Sequence, residues 1–273
     1  MDLERLSPTQ FERFQTFIYE TCGIMLDGAK ITLVSNRIRR RLKACNFVDF
    51  DTYYNHLVSR SGRGEIEGFL DAITTNETFY FRTASHFDWL KDEYVKELHA
   101  SKLAGRRKPS LRIWSAACSS GEEPYSIAMC LSESSLMLRG WETYILGTDI
   151  SETSLGTARA GVYRERAFRD MEQSKIDRYF IRSEETWQLK PNIAKMVQFK
   201  NHNLLKPIRE PAFDCIFVRN VLIYFDRGSK TKVIENLLNA LVPGGYLVVG
   251  PSEGLYDMLG MLTKHTPFLY QKP

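Results

Sequence analysis

The chain lacks the features that would tie it to a membrane, an oxidising compartment or a metal. No apolar run in its 273 residues approaches the roughly 20 that span a bilayer, and the opening Met-Asp-Leu-Glu-Arg shows no basic stretch followed by an apolar one. A cytoplasmic protein without membrane insertion is therefore expected. The cysteines, Cys22, Cys45, Cys118, Cys130 and Cys215, are odd in number, scattered and without a Cys-x-x-Cys pair, which argues against a disulfide framework and a zinc site. No metal is expected. Also missing are the G-x-G-x-x-G of a dinucleotide fold and the Gly-Lys-Ser/Thr of a phosphate-binding loop. Nor is there a general excess of one charge. The net value is +4, yet the stretch from Lys30 to Cys45 alone carries Lys30, Arg37, Arg39, Arg40, Arg41 and Lys43 without an acid. The basicity is a local patch, which suits one acidic partner surface better than nucleic acid along the whole chain.

What is present divides in two. Residues 1–75 read as a small all-helical domain: Pro8 follows Ser7 where a helix can start, and Phe11, Phe14, Phe17 and Ile18 recur at helical spacing until Gly23 and Gly28 break it. The next helix carries Ile31, Val34, Ile38, Leu42 and Cys45 on one stripe, with Arg37, Arg39, Arg40 and Lys43 off it and Arg41 on its flank. Residues 50–58 and 64–73 predict two more short helices. Residues 76–110 read as a linker and lid that ends in a Lys/Arg/Gly/Pro-rich loop. From 111 to 273, strand signals at 111–116, 143–149, 196–200, 213–218 and 245–250 alternate with helical ones at 123–138, 151–160 and 229–242. That rhythm predicts an α/β fold with a doubly wound parallel sheet, whose ligand belongs at the carboxyl ends of the strands. A β-hairpin at about 178–200, Tyr179-Phe180-Ile181 against Trp187-Gln188-Leu189, interrupts it as a small antiparallel subdomain.

The stretch LRIWSAACSSGEEPYSIAM, Leu111 to Met129, joins a strand signal to a helix signal through a turn of tiny residues. Such a turn leaves main-chain N–H groups open to a polar ligand. Glu122 and Glu123 in the first helical turn would repel a pyrophosphate, so a ligand with a cationic or zwitterionic part is expected, and S-adenosylmethionine fits. An ordinary turn capped by Ser119 or Ser120 is the bland alternative. Asp149, at the end of the next strand signal, can accept hydrogen bonds from ribose hydroxyls or cap the following helix, a task for which Ser151 competes. The apolar run Phe213 to Val218 stops at Arg219-Asn220, with Tyr224 beyond; these are either crevice residues or a surface arginine and a packed tyrosine. Thr74 to Arg82, TTNETFYFR, interleaves polar residues with aromatics at the domain junction, as a site lid would.

TTNETFYFR, WSAACSSGEEPYSIAM, GTDIS, HNLL, FVRNVLIYFD and LVPGGYLVVGPSE, in this order and spacing, resemble the CheR-type chemotaxis receptor glutamate O-methyltransferases over essentially the whole chain. The resemblance implies a Rossmann-like S-adenosylmethionine-dependent fold with an all-helical N-terminal domain. It also implies methyl transfer to glutamate side chains on the cytoplasmic helices of methyl-accepting chemoreceptors, leaving S-adenosylhomocysteine. Carried over to this chain, Asn76, Thr78, Arg82, Ala117, Glu123, Asp149, Asn203, Leu204, Asn220 and Val221 would contact the cofactor. Arg82 and Tyr224 would act at the reacting methyl, and Arg37, Arg40 and Arg41 would dock the receptor. The hairpin Arg182 to Trp187 looks shorter than in members that grip a receptor's C-terminal pentapeptide and lacks their glycine-containing insert, so docking without that tether is expected.

Two other classes stay open on the residues alone. A nucleic-acid methyltransferase could share fold and cofactor, although Asn-Pro-Pro-Tyr, Asp-Pro-Pro-Tyr and Pro-Cys motifs are missing. A non-catalytic scaffold that senses the cofactor could keep the fold without turnover.

Overall fold

The computed structural model describes residues 5–255 and 257–273. Helix α1 (Pro8–Cys22) starts where the sequence sets it: the Ser7 hydroxyl accepts from the Gln10 N–H, the Gln10 side chain accepts from the Ser7 N–H, and Gly23 at φ 76° closes the other end. It packs with α2 (Ile31–Ala44), α3 (Phe50–Val58) and α4 (Glu65–Ile73) around Phe14, Ile18, Ile38, Leu42, Tyr53 and Phe69. Of the predicted stripe, Val34, Ile38 and Leu42 are buried, while Ile31 and, just past the end of α2, Cys45 are half-buried.

Residues 84–103 are not a linker. Helices α5 (Ala84–Trp89) and α6 (Val95–Leu103) run on through a π-helical turn, Leu90–Tyr94. Phe87, Leu90, Tyr94, Val95 and Leu98 from this stretch are buried in the main core. Their spacing is helical, a pattern that the basic loop following them conceals.

The α/β region follows with β1 (Ser110–Ala116), α7 (Glu122–Glu133), β2 (Glu142–Asp149), α8 (Glu152–Ala160), β3 (Val162–Tyr163), α9 (Gln173–Tyr179), β4 (Phe180–Ser183), β5 (Thr186–Leu189), α10 (Pro191–Ala194), β6 (Val197–Asn201), β7 (Phe213–Val218), α11 (Arg227–Asn239), β8 (Leu241–Val249), β9 (Thr263–Thr266) and β10 (Leu269–Gln271). The large sheet has the order β6-β2-β1-β7-β8-β10-β9. Its first five strands are parallel, and β10 runs antiparallel to both β8 and β9. Buried side chains cover both faces of β1 and β7, as a parallel sheet requires.

The hairpin is narrower than 178–200. It comprises β4 and β5 with Glu184-Glu185 at the turn, Glu184 taking a left-handed φ of 52°, and β3 adds a third strand that two residues of sequence could not announce. Residues 197–201 leave it to pair with β2. Two helices also end earlier than their patterns suggest: α7 stops at Glu133, and α11 stops at Asn239 because Leu241 already pairs with Phe213 as β8. No helix among the described residues is long and apolar enough to cross a membrane.

Candidate active site

From β1 the chain fills one side of the sheet with β2 and β6, then crosses to pair β7 with the other side of β1. The carboxyl ends of β1 and β7 are thus the switch point, where a parallel sheet opens a crevice. The turn after β1 is built to face it. Ala117 (φ 64°), Ser119 (φ 49°) and Gly121 (φ 93°) all adopt left-handed backbone, which costs a non-glycine residue about 1–2 kcal/mol. Three bonds hold it: Cys118 N–H to Thr148 C=O at 2.8 Å, Ser119 N–H to Asp149 Oδ2 at 2.7 Å, and Ser119 Oγ to the Asn76 carbonyl at 3.0 Å. Neither serine caps α7. Its N-cap is Gly121 without a side-chain bond, so the first-turn N–H groups lack the usual side-chain partner. Glycine is required there, since a Cβ would stand 2.8 Å from the Ala158 methyl.

Asp149 is 7% exposed. Burial raises its pKa, opposed by N–H donation from Ser151 and Ser119. The helix-capping task falls to Ser151, whose Oγ accepts from Ser154 N–H at 3.0 Å, so Asp149 is free to face the crevice.

Arg219 is the residue that the sequence left undecided, and it is buried. Its Nη1 pairs with Glu123 Oε2 at 2.9 Å, the two side chains being 2% and 13% exposed, and its other terminal nitrogen donates to the Arg82 carbonyl. Glu123 Oε1 accepts from Ser115 Oγ at 2.7 Å. Arg219 Nε, also buried, has no partner, and neither has His202 Nε2. Both residues line the crevice. Buried polar atoms are seldom left orphaned in a folded chain, so these ring and guanidinium nitrogens mark where a ligand's polar atoms would complete the site. Next to Arg219, Asn220 takes a left-handed φ of 58° and its N–H donates to the carboxylate of Glu253, a side chain the sequence gave no reason to single out.

The lid is pinned at several points. Asn76 Nδ2 donates to Ser154 Oγ at 2.8 Å, Phe81 N–H donates to Ser126 Oγ at 3.0 Å, and Arg82 Nη1 donates to the Glu77 carbonyl at 3.1 Å with its guanidinium 5.5 Å from the Phe79 ring centre. The helical domain closes the remaining side. Met25 N–H donates to the Tyr224 carbonyl at 2.8 Å, Ile24 forms a bridge with Phe225, and Asn203 Nδ2 donates to the Thr21 carbonyl at 2.8 Å. Much of the Asn203 side chain's capacity is therefore used within the protein, its Oδ1 also accepting from Leu205 N–H.

Together these segments enclose a cavity of about 320 Å³, at the lower end of small-molecule sites. Asn76, Thr78, Arg82, Ala117, Glu123, Asp149, Asn203, Leu204, Asn220, Val221 and Tyr224 all line it, and so does Arg37. The three arginines expected to dock a partner part company. Arg37 donates to the Ile73 carbonyl and to Thr75 Oγ1 and forms part of the cavity wall, where burial lowers its pKa. Arg40 is exposed. Arg41 grips Glu65 of α4 through Nε at 2.9 Å and Nη2 at 2.7 Å, while Tyr53 donates to the same carboxylate. The acid missing from the local sequence is supplied across the helical domain, which corrects the picture of three equivalent docking charges.

Residues 76–266 match the family model described as CheR methyltransferase, SAM binding domain, and residues 9–74 match that described as CheR methyltransferase, all-alpha domain. The chain is similar to the "Chemotaxis protein methyltransferase" of Escherichia coli, 38% identical over 255 residues that cover 91% of this chain and 85% of that protein. It is also similar to "Chemotaxis protein methyltransferase Cher2" of Pseudomonas putida, 36% identical over 270 residues covering 96% and 97%. A third relative, the "Chemotaxis protein methyltransferase" of Vibrio parahaemolyticus, is 34% identical over 274 residues covering 97% and 98%.

Proposed function

The chain belongs to the CheR methyltransferase family and is an S-adenosylmethionine-dependent methyltransferase of chemoreceptors; from that premise we propose how its cavity holds the cofactor and meets a glutamate side chain, giving a glutamyl methyl ester and S-adenosylhomocysteine. The observation that carries this assignment of residues is the convergence of Asn76, Thr78, Arg82, Glu123, Asp149, Asn220 and Tyr224, from separate stretches of sequence, on one cavity.

The methionyl end of the cofactor is a zwitterion, and the pair Glu123–Arg219 offers it one charge of each sign. Glu123 would hold the ammonium, while the unpartnered Nε of Arg219 and the guanidinium of Arg82 would face the carboxylate. Asp149 spends two of its roughly four acceptor positions on Ser119 and Ser151 N–H groups and keeps the rest for ribose hydroxyls. Ala117, Asn203, Leu204, Asn220 and Val221 complete the cofactor wall, and Asn76 and Thr78 cover it.

When bound, S-adenosylmethionine supplies a methyl group on a sulfonium, so that a carboxylate oxygen forms the new C–O bond as the C–S pair departs to sulfur. A glutamate with an ordinary pKa of about 4.3 is already ionised at neutral pH and needs no general base. The residues' task is then alignment, which in favourable cases is worth on the order of 7 kcal/mol. Arg82 orients a carboxylate, and Tyr224 positions the methyl.

The receptor's methylation helices would approach over α2, where Arg40 and Lys43 are exposed and Arg37 reaches the cavity. Long-range attraction of this kind speeds encounter and weakens with salt. The short hairpin ends in Glu184-Glu185 and supports docking without a C-terminal pentapeptide tether. The site of action is the cytoplasm, no metal takes part, and the acceptor is protein, not nucleic acid.

Transfer of labelled methyl to receptor cytoplasmic domains, read as methanol released by alkali, tests the chemistry. Arg82→Ala should lower turnover sharply with the fold intact, and wild-type turnover in that variant would refute its role. Micromolar binding of a receptor tail peptide at the hairpin would remove the untethered reading.

A further inference from the structure

Glu253, in the loop after β8, is 1% exposed, yet its carboxylate oxygens are taken by peptide N–H groups and not by a cation. Oε1 accepts from Asn220 N–H and Oε2 from Leu222 N–H at 2.8 Å. Donation from the turn's peptide groups opposes the upward push of burial on its pKa. Two peptide donors of one tight turn converge on this carboxylate, as backbone N–H groups do around a bound anion; here the chain supplies the anion itself.

What those donors belong to is the turn from Asn220 to Tyr224. Asn220 sits at φ 58°, a left-handed conformation that asparagine adopts more readily than other side-chain-bearing residues but still at a cost, and Leu222–Tyr224 forms one tight 3₁₀ turn. Gly250, at the end of β8, leaves the gap through which the carboxylate reaches: a Cβ there would lie 2.6 Å from Glu253 Oε1 and 3.1 Å from Asn220 N. The Lys230 ammonium anchors the other side of the loop by donating to the Glu253 carbonyl at 2.8 Å.

We propose that Glu253 is the positioning residue of this turn: its carboxylate holds the N–H groups of Asn220 and Leu222 and so fixes Asn220 and Val221 against the cofactor and Tyr224 at the transferring methyl. It touches neither substrate. The inference rests on the reading of Asn220, Val221 and Tyr224 given above. It adds that their geometry is set from behind by a buried charge, whose loss lets the turn relax out of the left-handed conformation.

Glu253→Gln keeps size and burial but turns an amide NH₂ toward N–H donors. With a misplacement of about 1 Å worth up to about 100-fold in rate, this variant should bind S-adenosylhomocysteine about 10-fold or more weakly by calorimetry. At saturating S-adenosylmethionine it should also lose roughly 10- to 100-fold in kcat. KM for the receptor should stay within about twofold, because docking occurs elsewhere. Gly250→Ala, which keeps the carboxylate and wedges a methyl between it and the turn, should reproduce the same split and decides the matter if Glu253→Gln fails to fold. Asn220→Ala serves as the reference. If it leaves S-adenosylhomocysteine affinity unchanged, the assignment of Asn220 to the cofactor site is what fails. If it weakens binding while folded Glu253→Gln and Gly250→Ala keep wild-type affinity and kcat, even at a lowered melting temperature, Glu253 is merely structural and the inference is overturned.

Discussion

Replacing Arg219 by methionine removes one partner of an ion pair whose side chains are 2% and 13% exposed and leaves the Glu123 carboxylate without its counter-charge. Breaking such a pair costs about 3–5 kcal/mol, several times the net value of an exposed one. For a chain somewhat above 150–250 residues, each kcal/mol moves the melting temperature by roughly 2–4 °C, so a fall of roughly 6–20 °C is expected. Arg219→Met combined with Glu123→Gln discharges both partners and should recover most of that loss, since neutral groups of similar volume are tolerated at a buried ion pair. Function separates from stability in the same experiment. Wild-type protein at a hundredfold excess of S-adenosylhomocysteine over its dissociation constant gains about 2.7 kcal/mol. Both variants should show no such gain, because each has lost the pair that meets the zwitterion. Thermal unfolding with and without S-adenosylhomocysteine reads all four quantities. A wild-type melting temperature for Arg219→Met would show that the pair is no stability element, and a restored ligand shift in the double variant would show that it is no part of the cofactor site.

Three more expectations concern other residues. Burial pushes the Glu122 carboxyl up to about 7 from 4.5; between these values the folded state keeps a proton that the unfolded state has lost, so stability falls as pH rises through the window and is flat above it. Glu122→Gln should therefore stabilise by on the order of 3 kcal/mol at pH 8.5 and by much less at pH 5, and an equal gain at both would contradict the assignment. Arg41→Ala strands Glu65 beside Tyr53 and should cost about 1–3 kcal/mol in stability, whereas Arg40→Ala should leave melting unchanged and lower receptor kcat/KM in a salt-sensitive way; the opposite pattern in melting and kinetics reverses their roles. Gly121→Ala, with φ 93° and a Cβ 2.8 Å from Ala158, should destabilise by about 1–3 kcal/mol and weaken S-adenosylhomocysteine binding, which titration of the folded variant checks.

The strands of the parallel core were legible because their burial is written in runs such as Cys215-Ile216-Phe217-Val218, and the glycine-serine turn between β1 and α7 because nothing bulky can occupy it. Residues 84–103 look like a linker in sequence because a basic loop adjoins them, although their apolar side chains recur at helical spacing. Contacts made across the fold were not legible. Arg219 looks the same in sequence whether it meets solvent or Glu123, and Arg41 seemed unopposed because its acid lies on α4. Glu253 gave no local sign, since its partners are peptide groups, which every residue carries; only the left-handed Asn220 betrays the arrangement.

The seam between the helical region and the sheet bears on how this protein can be divided or recombined. Thr21, Ile24 and Met25 bond to Asn203, Phe225 and Tyr224, and Tyr19 donates to Asp226, the residue that starts α11. A fragment beginning at residue 76 would have a cleft with one bank missing, including Cys22, Ile24, Leu26 and Leu33. A chimera that exchanges the helical portion has to carry residues 203–205 and 224–226 from the same parent, because a change on either bank alters the wall that the other completes.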